Sequence, residues 1–252
     1  MINTLIHSPL EQFQILPLIN FGFGKYDFSI TNSSLNLIIL CSLISLLLSF
    51  INKKLYIIPT NWQLILESLY NFILSIITDQ IGTDGKKYFT LLTTIFLLIF
   101  FSNFFGMIPY SFTITSHPII TLGLSFSLWL GITILGIIKH GFHFIYLFIP
   151  KGIPVAVLPI IIALEILGYL TRPISLGVRL FANMFAGHTL LNIISFFTWN
   201  IFIYGGIFSI FAIFPILLII ALIGLEFVIC ILQAYVFTVL VASYLNDAIH
   251  LH

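Results

Sequence analysis

Polar residues along this chain are confined to short gaps between apolar runs, and the runs come in two lengths. The shorter ones are Leu35–Ile51 (LNLIILCSLISLLLSFI), Tyr88–Met107 and Ile119–Ile138. Each is close to the ~20 residues a helix needs to cross a bilayer. The longer ones, Ile160–Phe197 and Phe208–Val241, hold 38 and 34 residues. As helices they measure roughly 57 and 51 Å, against a hydrocarbon core of about 30 Å. Neither stands upright: each must tilt steeply, lie nearly flat within protein, or break, with Pro173 and Pro215 as the expected kinks.

Asn61–Ile81 has a different pattern. Gln63, Glu67, Asn71, Ser75 and Asp79 recur every four residues, and Leu64, Leu66, Leu69, Ile73, Ile76 and Ile77 fill the other faces. A slim polar stripe on an apolar helix suits an element lying along the inner membrane surface. The alternative is a short spanning helix with its stripe turned to protein. Polar turns follow at Gly82–Lys87 (GTDGKK) and Pro109–Pro118 (PYSFTITSHP). Gly123, Ser127 and Gly131 also recur every four residues, a spacing that lets helices approach closely.

Composition decides the solvent. With 60% hydrophobic and 7% charged residues and a mean hydropathy of +1.18, the chain lies far from the roughly 25% charged of soluble domains. It reads as an integral membrane protein. A net charge of +1 and the lack of a basic cluster with interleaved aromatics argue against nucleic acid. No GxxxxGK[ST] suggests a nucleotide, and Cys41 and Cys230 sit in apolar runs as packing residues. No cofactor or metal is expected. No basic residue precedes Lys25, so neither a secretory signal nor an arginine-rich transit peptide is read at the amino terminus. Asn32 heads an NSS sequon, which carries no weight by itself.

Five crossings put Lys53, Lys54, Lys86, Lys87, Lys139, Lys151 and Arg172 on or near one side and Lys25 on the other. By the positive-inside rule the first is the inner side, with the amino terminus outside and the carboxyl terminus inside. The expected fold is an all-α integral membrane protein with about five membrane-embedded helices plus one surface amphipathic helix. The last two helices form a long, steeply tilted antiparallel pair.

Charge at depth costs from ~2.5 to more than ~10 kcal/mol, so intramembrane ionisable residues mark partners or paths. Here they are Glu165, Arg172, Arg179 and His188 on the first long stretch and Glu226 on the second, with Asp247 just beyond it. In the expected topology Glu165 and Asp247 lie on the inner side of Arg179, and His188 and Glu226 on its outer side. At 100° per residue Glu165, Arg172 and Arg179 share a face with Ser175 and Asn183, whereas His188 points nearly opposite. Two titratable pairs thus flank a cation that cannot release its proton at working pH. Such an arrangement suggests two half-paths that do not join directly.

Asn183, one turn from Arg179, and Gln233 on the facing stretch can satisfy remaining guanidinium donors. The structural alternative is that Arg179 pins two helices by a salt bridge to Glu165 or Glu226. Arg172 reads as a residue snorkelling to the inner interface, and His140 and His143 (HGFH) as interfacial histidines rather than metal ligands. His7, His117, His250 and His252 fall in tails or loops.

At these residues the sequence resembles one family, subunit a of the F-type ATP synthase in its mitochondrial form. The resemblance runs from SPLEQF (Ser8–Phe13) through IPYSFT (Ile108–Thr113), KHGFHF (Lys139–Phe144) and SLGVRLFANMFAGH (Ser175–His188) to QAYVFTVLVASYLND (Gln233–Asp247). It implies a proton-conducting stator of the membrane F0 sector with no enzymatic activity of its own. Arg179 would be the essential gate facing a ring of c subunits. Asn183 and Gln233 would be its polar neighbours, His188 and Glu226 the outer half-channel, and Glu165 and Asp247 the inner one.

Implied partners are the c-ring, peripheral stalk subunit b, other F0 subunits and lipid, with possible dimerisation of the whole synthase. The implied location is the mitochondrial inner membrane, with the amino terminus toward the intermembrane space and the carboxyl terminus toward the matrix. The chain divides into an outer amino-terminal segment (1–34), peripheral helices (35–138) and the proton-channel helix pair (139–252) of one membrane domain. A proton-coupled secondary transporter is the alternative and would require internal repeats around broken helices, of which none is evident. A haem-binding subunit needs axial ligands at depth, and only His188 lies there.

Overall fold

The computed structural model describes residues 10–20, 22–23, 26–27, 29–51, 59–108, 111–149, 157–204 and 211–250. Lys25, Lys53, Lys54, Lys151, Pro109, Tyr110, His7 and His252, which entered the sequence reading, lie outside them. Six α-helices organise the rest: α1 (Asn32–Ile51), α2 (Asn61–Gln80), α3 (Phe89–Gly106), α4 (Pro118–His140), α5 (Leu158–Tyr204) and α6 (Ile213–Ile249). All but α2 are long and apolar enough to cross a membrane.

Ahead of α1 the chain makes something the sequence pattern does not announce. Strand β1 (Pro17–Ile19) pairs antiparallel with β4 (Ile30–Thr31), and β2 (Gly22–Phe23) with β3 (Tyr26–Asp27) between them. Strands of two or three residues are too short to display a period-2 alternation. Asn32, the sequon residue, ties this excursion to α1: its Nδ2 donates to the Gln14 carbonyl at 3.1 Å and its Oδ1 accepts from the Leu16 N–H at 3.3 Å. A reciprocal capping pair then starts the helix. The Ser34 N–H donates to Thr31 Oγ1 at 3.3 Å and the Thr31 N–H to Ser34 Oγ at 3.0 Å, which satisfies two otherwise orphaned groups.

In α2, Glu67, Asn71, Ser75 and Asp79 are exposed while Ile73, Ile76 and Ile77 are buried. Burial runs toward α3 and α6, so the polar stripe faces away from the chain. Gly82, at φ +83°, reverses the backbone after α2, where other residues would be strained. A 3-10 turn then feeds α3.

The loop after α3 folds inward: Ile114, Thr115 and Ser116 are buried against α3, α4 and α5. In α4 the expected small-residue stripe is turned outward. Gly123, Ser127 and Gly131 are exposed, and a Cβ on either glycine would meet nothing within 4 Å. The close approach uses another face, where a Cβ on Gly177 of α5 would lie 2.6 Å from Ser125 Oγ and 3.0 Å from the Leu122 Cα. Where α4 ends, Lys139 Nζ and His140 Nε2 sit 3.2 and 3.0 Å from the Ile249 carbonyl. Two groups that can carry positive charge thus meet the negative end of α6, which gives His140 a packing partner within the chain.

The long apolar stretches do not break. α5 runs 47 residues straight through Pro173, and α6 runs 37 with Pro215 in its first turn, where a missing N–H costs nothing. Their helical lengths are about 70 and 55 Å, so neither fits a bilayer upright. Contacts between them descend in register: Arg172 meets Asp247, Asn183 meets Gln233 and His188 meets Glu226. The pair is antiparallel. The face of α6 that points inward repeats at helical spacing (Glu226, Cys230, Gln233, Phe237, Val241, Leu245), and four of its six residues are apolar core.

Candidate functional site

Three polar contacts are spaced along the α5–α6 seam. At the one nearest the start of α6, His188 Nε2 lies 3.6 Å from Glu226 Oε1, with side-chain exposures of only 16% and 8%. That is beyond hydrogen-bond range, and both atoms are buried without a hydrogen-bond partner among the described residues. Room for the carboxylate comes from Gly187, where a Cβ would fall 2.5 Å from Glu226 Oε1. A buried imidazole nitrogen and a buried carboxylate oxygen side by side, neither hydrogen-bonded to a described residue, suit proton passage far better than they suit stability, because each unmade hydrogen bond costs about 1–3 kcal/mol.

In the middle, Asn183 Nδ2 donates to Gln233 Oε1 at 3.0 Å. The two amides thus bond to each other, one turn from Arg179. Arg179 itself is exposed, and no ion pair or hydrogen bond joins it to a described residue. The salt bridge to Glu165 or Glu226 that would make it a structural pin is therefore not formed, and Glu226 faces His188 instead. Exposed neighbours Ser175, Ala182 and Ala186 keep its surroundings small.

At the inner end, Arg172 does not reach away from the chain. Its Nη1 lies 2.8 Å from Asp247 Oδ2, and its guanidinium carbon sits 5.5 and 4.9 Å from the ring centroids of Tyr169 and Tyr244. Arg172, expected to snorkel to the inner interface, is thus held within the chain by a carboxylate and two aromatic faces. Glu165 is exposed and shares no ion pair or hydrogen bond with a described residue. Asp247 is thus ion-paired and Glu165 is not, among the described residues.

Asn103, which the sequence reading passed over, is fully buried on α3, and both its amide atoms lack a partner among the described residues. The register of α3 on α6 places it. Cys230 Sγ approaches the Phe100 carbonyl at 3.9 Å and the Phe104 and Phe227 rings lie 6.2 Å apart, which brings Asn103 level with Glu226. Its signal was present as a lone amide in the apolar run FFSNFFG, but attention to ionisable groups alone missed it. Nearby in sequence to the inward-folded loop, His117 stacks on Phe112 with 5.1 Å between centroids, and its Nε2 is buried and unpartnered. Burial holds its pKa below the ordinary histidine value. Among the described residues no group of three metal-ligating side chains occurs.

A family model described as ATP synthase A chain matches residues 34–246. The chain is 47% identical to ATP synthase subunit a of Oenothera berteroana, over 98% of this chain and 90% of that one. It is 46% identical to the subunit a of Chondrus crispus, over 98% of each. The bacterial subunit a of Pelagibacter ubique is 42% identical, over 97% of this chain and 98% of its own.

Proposed function

We propose, from the premise that the chain belongs to the ATP synthase A chain family, that Arg179 is the gate between two proton half-channels on the α5–α6 pair. As a subunit a, the chain is the proton-translocating stator of the F0 sector: a component of the synthase, not an enzyme by itself, associated with the c-ring and other synthase subunits. It is a multi-pass inner-membrane protein of the mitochondrial type. The amino terminus faces the intermembrane space and the carboxyl terminus the matrix, in keeping with the basic residues on the inner side. Subunit b of the peripheral stalk and a second synthase are further partners in this reading. Residues 1–34, 35–138 and 139–252 serve as outer segment, peripheral helices and proton-path pair.

One observation carries the assignment: Arg179 is exposed on a long, mostly apolar helix, with no ion pair or hydrogen bond to a described residue. A guanidinium at depth costs at least ~2.5 kcal/mol without a counter-charge, and no carboxylate among the described residues pairs with it. A c-ring carboxylate supplies one. A proton from the outer side reaches that carboxylate by way of His188 and Glu226, with Asn103 lining the buried approach. Once neutral, the carboxylate can rotate into lipid. After nearly a full turn it releases its proton toward Glu165 and Asp247, and Arg179, which cannot exchange protons, pairs with the bare anion and bars direct passage. Asn183 and Gln233, bonded to each other, hold the seam beside it. The transmembrane potential adds roughly 2.3 kcal/mol per charge per 100 mV.

The unbroken α5 and α6 disfavour a secondary transporter, whose site is built on interrupted helices. The test is Arg179→Ala in inner-membrane vesicles, with assembly checked on a native gel. Synthesis lost while passive proton leak is kept or raised is the expected result; normal coupled synthesis would overturn the gate.

A further inference from the structure

The two inner carboxylates occupy unlike surroundings, and the difference assigns them different work. Asp247 is committed to Arg172 at 2.8 Å. Arg172 is in turn confined between the Tyr169 and Tyr244 rings, 5.5 and 4.9 Å from its guanidinium carbon. Tyr169 is itself held by a 2.6 Å hydrogen bond between its hydroxyl and Thr133 Oγ1 on α4. One network therefore ties α4, α5 and α6 together at their inner ends. Glu165, two turns before Arg172, is exposed and outside that network. A carboxylate that trades protons must be free to present its oxygens to successive partners, whereas a charge-assisted pair in an aromatic cage is fixed in place.

We infer that Asp247 is a positioning anion, locked by Arg172 to set the register of α5 against α6, and that Glu165 alone exchanges protons with the ring at the inner half-channel. The inference rests on the half-channel reading and divides its inner end between two roles. Because the contacts along the seam follow one another, this clamp also governs how Asn183 meets Gln233 and His188 meets Glu226 farther along.

The test uses intact synthase in inner-membrane vesicles, with ATP-driven proton pumping followed against the pH of the inner side and assembly verified for each variant. Asp247→Asn and Arg172→Gln should each lower pumping by up to about 10²-fold, the cost of a 1 Å misplacement of reacting groups, without moving the midpoint of the pH profile. The double variant should be no worse than either single one, because the pair acts as a unit. Arg172→Lys should retain more than Arg172→Gln, and the exchanged pair Arg172→Asp with Asp247→Arg should recover most of the loss. Glu165→Gln should abolish pumping or move the midpoint. The inference is overturned if Asp247→Asn moves the midpoint, if Arg172→Gln leaves pumping normal while Asp247→Asn abolishes it, or if the assembled exchanged pair recovers nothing. Arg179→Ala in the same vesicles separates the cases, since normal synthesis there removes the half-channel reading itself.

Discussion

Replacing Gly187 by alanine adds one methyl group to the most crowded point of the outer site. The new Cβ would lie 2.5 Å from Glu226 Oε1, against ordinary carbon–oxygen contacts of roughly 3.3 Å, so the carboxylate must retreat by the better part of an ångström. Because Oε1 is also the atom facing His188 Nε2 at 3.6 Å, the pair is disturbed directly. Overpacking of this kind costs about 1–3 kcal/mol, and if that falls on proton transfer it slows synthesis by about 5- to 150-fold. Helix propensity opposes the change in sign, since alanine is favoured over glycine by up to ~1 kcal/mol, so the loss should appear in function before assembly.

The assay is proton-driven ATP synthesis in inner-membrane vesicles, normalised to assembled complex. Gly123→Ala provides the control, because its Cβ meets nothing within 4 Å. A second change makes the argument specific. Glu226→Asp withdraws the carboxylate by one methylene, so the double variant Gly187→Ala/Glu226→Asp should lose less than the two single losses combined. Normal synthesis in assembled Gly187→Ala, or strict additivity with Glu226→Asp, would refute the claim that this glycine exists to make room for the acid.

Two further outcomes follow from buried polar groups. Asn103→Leu, of similar size but without hydrogen-bonding atoms, should cut synthesis at least tenfold while leaving assembly intact, because removing an unsatisfied amide from an apolar site does not cost stability; Asn103→Ser should retain more, and equal rates in the two would show that α3 does not line the path. His117, whose pKa burial lowers, binds fewer protons folded than unfolded, so its contribution to stability is present above the unfolded value of about 6.5 and is lost as pH falls below it. His117→Gln should therefore flatten the acid-side fall of the purified complex's thermal midpoint between about pH 7 and pH 5, and an unchanged slope would reject the assignment.

Legibility in the sequence followed the range of the interactions involved. The ends of α3 and α4 lie within two residues of the apolar runs that foretold them, because a bilayer-spanning helix is specified by its own residues: apolar side chains outside, every backbone group satisfied within. The polar stripe of α2 was equally local. Glu226, Gln233 and His188 were marked by polarity in apolar surroundings, and their grouping needed only the antiparallel pairing of two adjacent long helices. Misreadings arose where a neighbour decides. The spacing of Gly123, Ser127 and Gly131 identifies a smooth helix face but not what lies against it, and α5 in fact packs on Ser125 and Leu122. Pro173 weakens a helix in isolation, yet α5 continues through it, since only one hydrogen bond is lost from a long element supported by its neighbours.

The sequence by itself determined the solvent, the helical class, the places of the helices and the short list of polar groups at depth, because each depends on composition or on residues within one helical turn. Only the tertiary structure decided which of those groups meet. It paired Arg172 with Asp247 across 75 residues of chain, left Arg179 and Glu165 exposed with no ion pair or hydrogen bond to a described residue, and buried the Asn103 amide on α3 with no hydrogen-bond partner among the described residues. Periodicity fixes the face of a helix on which a residue lies, but the rotation and axial position of that helix against another are set by the packing of whole surfaces, and those two quantities turn a list of charges into a path with a gate.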